Sequence, residues 1–276
     1  LVRLFQKASE FSKQGQYSKA ISLSERALVI LEKAGASETF EAAAFLNFLG
    51  QQHHDQGNYT EALPLYQRSL AIIQKVLGAD HPNVAASLDN LAQLYKDQGR
   101  YQEAEPLYKK ALEMYIKLLG PEHLDIAISR HNLALLYYLQ GRYKEAELLY
   151  KQALEMRQKL LGAEHPSVTN SLNNLATLYQ AQGRYQEAEP LYKQALEMRQ
   201  KLLRAEHPSV LKSLNNLATL YQAQGRYQEA EPLYKQALEM RQKLLRAEHP
   251  SVLKSLNNLA TLYQAQGRYQ EAEPLY

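Results

Sequence analysis

Cysteine is absent from the chain. That excludes disulfides, thiolate metal ligands and a cysteine nucleophile, and leaves the compartment open. An excess of one charge is also missing: Lys and Arg number 32 against 29 Asp and Glu, so no strong field drives binding to nucleic acid or to a membrane surface. No apolar run approaches the roughly 18 residues that cross a bilayer, and no signal-peptide pattern opens the chain. The usual catalytic signatures are lacking too: there is no GxSxG, no HExxH and no phosphate-binding glycine loop, so neither an enzyme nor a cofactor is expected. The sequence begins at Leu1 without Met and stops abruptly at Tyr276, which reads as a soluble, cytoplasmic piece of a longer protein.

What is present is a period. Gly15, Gly57, Gly99, Gly141, Gly183, Gly225 and Gly267 stand 42 residues apart, and residues 173–214 are identical to 215–256. A period held without insertion marks a supersecondary unit that stacks on copies of itself. With each of these glycines as slot 15, Leu88, Leu91, Ala92 and Tyr95 fill slots 4, 7, 8 and 11, one face of a helix. Tyr101, Ala104, Tyr108, Ala111 and Leu112 make a second stripe after the glycine. Two amphipathic helices therefore flank "QGRY", and so short a connection forces an antiparallel hairpin. The expected fold is all-α, an α-solenoid of stacked hairpins with about six and a half repeats in one domain, 1–276. The repeats run 1–40, 41–82, 83–124, 125–166, 167–208, 209–250 and a truncated 251–276.

"EHPSV" opens first helices with Pro at a position that suits its fixed φ. "LLG" closes second helices with Gly at 120 and 162, whereas Arg204 and Arg246 take that place later, where a side chain disfavours the left-handed cap. Pro106, Pro190, Pro232 and Pro274 are expected within or just after the first turn of second helices, with a possible kink.

The pattern Leu-x2-Leu-Ala-x2-Tyr followed by Gly-x-Tyr-x2-Ala-x3-Tyr-x2-Ala resembles the tetratricopeptide repeat. The longer unit "GAEHPSV…NNLA.LY…GRY.EAE.LY..AL" resembles its kinesin light chain type. The likeness is weakest at the start, where Lys7 takes a Leu slot, Ser24 a Tyr slot, and residues 34–44 replace the Glu-His-Pro junction. It implies a non-catalytic protein-interaction scaffold whose first helices line a concave wall. Cargo recognition by a motor adaptor is one setting; a regulatory or sensor module of a larger bacterial signalling protein or enzyme is the alternative.

All but Tyr115 and Tyr138 of the 20 tyrosines occupy slots 11, 17 and 24 of the buried stripes, so they read as packing residues rather than as stacking platforms for bases. The histidines at 81, 123, 165, 207 and 249 also keep the period. Equivalent helices at least ~8–10 Å apart cannot share one metal ion through them, which favours a helix-start role. Glu103, Glu187, Glu229 and Glu271 suit the first turn of second helices.

On a helical wheel, slots 2, 5, 6, 9, 12 and 13 of the first helix face away from the hairpin core. Slot 6 carries Gln6, Phe48, Asn90, Asn132, Asn174, Asn216 and Asn258; slot 5 carries Phe5, Asn47, Asp89, His131, Asn173, Asn215 and Asn257. Mid-helix Asn is a mediocre helix former, so the row asks for a reason. Its amides can pair with the main chain of an extended peptide, as the kinesin light chain resemblance implies, or can form a ladder between neighbouring helices; both can hold. Phe48, His54, Ile128, His131, Leu135, Tyr138 and Leu139 suggest an apolar pocket in the second to fourth repeats, while the wall turns polar at Asn170, Thr177, Gln180 and Lys212. The candidate groove residues are Asn47, Phe48, Asn90, Gln93, His131, Asn132, Leu135, Tyr138, Asn173, Asn174, Thr177, Asn215, Asn216 and Asn258, with a peptide or protein as partner. Lys96, Lys212 and Lys254 are too few for a nucleic-acid stripe, and Asp89 and Asp97 oppose them. A poorly covered face of Leu256, Leu259 and Tyr263 leads to expected end-to-end self-association through the last repeat.

Overall fold

The computed structural model describes residues 1–203, 207–246 and 248–276. Among them are fourteen α-helices, a closing 3₁₀ turn and no strand. The helices are α1 (Val2–Lys13), α2 (Tyr17–Lys33), α3 (Phe40–Asp55), α4 (Tyr59–Leu77), α5 (Pro82–Asp97), α6 (Tyr101–Leu119) and α7 (Leu124–Leu139). They continue as α8 (Tyr143–Leu161), α9 (Pro166–Ala181), α10 (Tyr185–Leu202), α11 (Pro208–Ala223), α12 (Tyr227–Leu244), α13 (Pro250–Ala265) and α14 (Tyr269–Ala272), followed by the turn Glu273–Leu275.

The chain divides into two compact units, Leu1–Arg142 and Tyr143–Tyr276. In the first, α1–α2, α3–α4 and α5–α6 pack as hairpins, and α2, α4 and α6 pack on α3, α5 and α7. In the second, α9–α10 and α11–α12 are hairpins, α8, α10 and α12 pack on α9, α11 and α13, and α14 lies against α13.

The repeated glycine makes the hairpin possible. At the end of α5 the Gly99 N–H donates to the Lys96 carbonyl at 2.9 Å and the Arg100 N–H to the Tyr95 carbonyl at 2.8 Å. This double closure needs the left-handed backbone that Gly99 adopts at φ 75°, which a side chain would oppose. The next helix starts two residues later.

The histidines cap the first helices with their side chains. His81, His165, His207 and His249 each accept, at Nδ1, the backbone N–H two residues on, at 3.1 Å, and His123 does so at 3.2 Å. One of the unsatisfied donors at each helix start is thereby paired. Gly78, Gly120 and Gly162 close α4, α6 and α8 in the positive-φ region. In the later copies α10 and α12 stop one residue sooner, at extended Leu203 and Leu245. Arg204 lies outside the described residues, as do Ala205, Glu206 and Ala247. Pro64, Pro106, Pro190 and Pro232 stand inside second helices that continue through them.

Alanines at slots 8, 20 and 27 form a spine: Ala92, Ala104 and Ala111, for example, are fully buried and let the paired helices approach. Tyr66, Tyr108, Tyr150 and Tyr192 are the largest enclosed side chains. Three expectations are corrected. The slot-17 tyrosines are half-buried, and Tyr269 is exposed, because they begin their helices at the surface. Tyr115, off the pattern, is a core residue. Leu259 and Tyr263 are buried, since α12 and α14 cover the face read as open in the last repeat.

Candidate functional site

The asparagine row is a ladder within each unit. Asn90 Nδ2 donates to Asn47 Oδ1 at 2.9 Å, joining α5 to α3. Asn216 donates to Asn173 at 2.8 Å and Asn258 to Asn215 at 3.2 Å, joining α11 to α9 and α13 to α11. In each of these three pairs slot 6 of one repeat donates to slot 5 of the repeat before. Each donor amide keeps its carbonyl oxygen and a second N–H. Asn90, Asn216 and Asn258 are half-buried.

Slot 5 does not face outward as a single helical wheel implies. Asn173 is 3% exposed and Asp89 9%, because the next first helix stacks over them. Asn173 therefore serves the ladder, and Thr177 is drawn in with it, donating to the Asn173 carbonyl at 2.9 Å. Asp89 replaces an amide in this row, and burial raises its carboxyl to about 7; its one side-chain partner is Ser129, at 3.4 Å.

The buried slot-24 tyrosines send their hydroxyls to the wall. Tyr108 donates to Gln93 Oε1 at 2.9 Å; the Tyr192 hydroxyl lies 2.9 Å from that of Thr177 and 3.0 Å from Gln180 Oε1, and its one proton goes to either. Gln93 passes on an N–H to Asp97 Oδ2 at 2.8 Å, where His54 Nε2 also bonds at 2.9 Å. Lys96 approaches the other oxygen of Asp97 at 3.3 Å. Burial alone would raise the Asp97 pKa, but the bonds from His54, Gln93 and Lys96 bring it to about 2. His54 and Lys96 are buried, so neither is an open wall residue.

An apolar part of the wall lies near the start of the chain. A hollow of about 430 Å³ is lined by Leu1, Val2, Phe5, Phe40, Ala44 and Phe45, with Phe5 packed against Phe45 and Phe48 at ring distances of 5.3 and 5.2 Å. A second, of about 190 Å³, is lined by Phe40, Ala44 and Ile73 and reaches the amides of Asn47 and Asn90. Ile128 and Leu139 are exposed, and His131, Asn132, Leu135, Tyr138 and Asn174 are half-buried.

Behind the wall, at the hairpin turns, a clamp joins successive repeats that the sequence reading missed. Glu147 accepts Arg184 Nη1 at 2.5 Å and the Tyr179 hydroxyl at 3.1 Å; Glu189 accepts Arg226 and Tyr221 at the same distances. The Arg184 guanidinium lies 4.1 Å from the Tyr179 ring. The Arg bond chiefly lowers Glu147, Glu189 and Glu231 to about 2. The sequence signal was available: Glu at slot 21 and Arg at slot 16 keep the same period. No group of three or more His, Asp or Glu side chains able to hold a metal ion occurs among the described residues, and no described helix is long and apolar enough to cross a membrane.

Helix hairpins of this length, stacked through a ladder and a clamp, define an α-solenoid. The family model described as Tetratricopeptide repeat matches residues 40–117, 94–159, 149–201 and 209–276, and the chain belongs to that family. Among solved structures it is 42% identical to a candidate kinesin light chain of Podosopora anserina with nearly identical TPR-like repeats, over 71% of this chain and 92% of that one, with a TM-score of 0.64. BtubC (BKLC) from P. vanneervenii is 26% identical over 79% of this chain and 85% of its own, with a TM-score of 0.64. The apo form of RapI, 19% identical, shares the fold over 100% of this chain and 94% of its own, with a TM-score of 0.70. The comparison with curated proteins gave no match.

Proposed function

We propose that the wall of first helices binds an extended peptide of a partner protein, in an adaptor role like that of kinesin light chain-like repeat proteins. The observation that carries this is the orientation of the donor amides. Asn90 in the first unit, and Asn216 and Asn258 in the second, are each held at one N–H by the preceding repeat, so each keeps a carbonyl and an N–H available without further ordering. Next to Asn90 and Asn47, the hollow under Phe40 and Ile73 suits an apolar side chain of the same peptide.

A peptide array probed with the purified protein supplies ligands, and calorimetry of the best one tests the site. Asn90→Ala, in the lining of the hollow under Phe40 and Ile73, and Asn132→Ala should each weaken binding by about 0.5–1.5 kcal/mol, and Asn258→Ala, outside that lining, should scarcely change it. Because Asn90 also belongs to the ladder, melting temperatures are measured in parallel. A lower melting temperature with unchanged affinity assigns the row to structure alone and refutes the groove.

A further inference from the structure

Three arginines, at 157, 199 and 241, recur at slot 31, where earlier repeats carry Leu31, Ile73 and Tyr115. Arg199 is 5% exposed. Its Nη1 donates to the Ser209 carbonyl at 3.2 Å and to Ser213 Oγ at 2.6 Å, and its Nη2 to Asn170 Oδ1 at 2.8 Å. Every one of these acceptors is neutral. The contrast with Arg184 and Arg226 is sharp: both lie nearer the surface, and each binds two glutamates.

A buried cation is costly unless an anion meets it. Among the described residues no carboxylate pairs with Arg199, and burial is the cause that lowers its pKa. Glu164 pairs with Lys201, as Glu38 and Asp80 pair with Lys75 and Lys117. Among the described residues three of the five guanidinium donors are used, which leaves two. Arg199 borders a hollow of about 150 Å³ with Pro166, Thr169, Asn170, Leu202 and His207. That volume holds a carboxylate or a phosphate group.

We infer that the hollow beside Arg199 is an oxyanion subsite, taking a carboxylate or a phosphate monoester on the remaining guanidinium donors. Such groups match the planar fork of arginine. Asn170 is specific to this copy: Lys212 and Lys254 replace it in the next two repeats. The subsite does not rest on the peptide groove, because a free anion is enough to probe it.

Protein labelled with ¹⁵N-arginine is titrated with sodium phosphate and, separately, with sodium acetate, at constant ionic strength in chloride. The side-chain Nε–Hε resonance of Arg199, identified by its loss in Arg199→Gln, should shift and saturate. Saturation by acetate alone assigns a carboxylate source, by phosphate alone a phosphate ester, and by both a general oxyanion site. Asn170→Asp places a carboxylate on the same guanidinium. It should raise the melting temperature, shift the resonance without added anion and abolish the titration. It also serves where Arg199→Gln fails to fold, since the resonance it displaces is then the Arg199 signal. No saturable shift with either anion, or an Asn170→Asp protein that titrates like the parent, overturns the subsite.

Discussion

Replacing Glu189 by Gln tests the clamp between repeats. The carboxylate receives Arg226 Nη1 at 2.5 Å, the Tyr221 hydroxyl at 3.1 Å and Lys193 at 2.7 Å. Gln keeps the volume and one acceptor but removes the charge. Hydrogen bonds to charged groups contribute about 1.5–3 kcal/mol, and exposed ion pairs well under 1. Glu189 is 19% exposed and Arg226 32%, so the loss falls between these limits, about 1–2 kcal/mol. In urea this lowers the midpoint by roughly 0.5–1 M.

The pH dependence gives the sharper test. The Glu189 pKa is lowered from 4.5 to about 2, chiefly by the bond from Arg226. A depressed carboxylate contributes stability above its unfolded value of 4.5 and loses it as pH falls toward 2. The amide of the Glu189→Gln variant cannot titrate. The difference between parent and variant should therefore be full at neutral pH, fall to less than half by about pH 3, and approach zero near the folded pKa. Urea titrations followed by far-ultraviolet circular dichroism at several pH values measure it. An equal difference at neutral and acid pH, or none at either, refutes the assignment of the stabilisation to this charge.

Other sites offer simpler changes. Gln52 is buried in a slot where later repeats have Leu94 and Leu136, and its Oε1 has no hydrogen-bond partner among the described residues; Gln52→Leu should raise stability by about 1–3 kcal/mol in thermal melts. His207→Ala should cost about 1 kcal/mol by removing the cap on Ser209, and His207→Asn should restore most of it. Burial raises the Asp89 pKa to about 7, so its contribution is present at low pH and lost as pH rises through that value. Asp89→Asn should stabilise by about 1–3 kcal/mol above pH 8 and by little near pH 4, as followed by urea unfolding.

The hairpins were legible because each depends on one local rule. Gly at slot 15 closes the first helix, Pro after His opens the next, and the apolar stripes name the buried face. Burial at slot 5 was not legible from a wheel: Asn173 is covered by α11, a neighbour that a single helix does not contain. The same holds for Glu189, whose partners Tyr221 and Arg226 lie 32 and 37 residues away. Arg199 was readable in principle, since a cation occupies a slot that earlier repeats fill with Leu31, Ile73 and Tyr115, but its acceptors Ser209 and Ser213 come from the next repeat. His54, read as a wall residue, is enclosed because Asp97 from the following repeat bonds to it.

The clamp also bears on how the length of such a chain can change. Arg226 reaches back to Glu189 as Arg184 reaches back to Glu147. Excising residues 173–214 would join Leu172 to Asn215 and present Arg226 to Glu147 in the same geometry. The Asn258–Asn215 bond and the turns on either side would be kept, and Asn216 would take the sequence position of Asn174. Copy number is thus a neutral variable for the interior of the stack: a recombination event between two identical blocks adds or removes 42 residues without creating a mismatched junction.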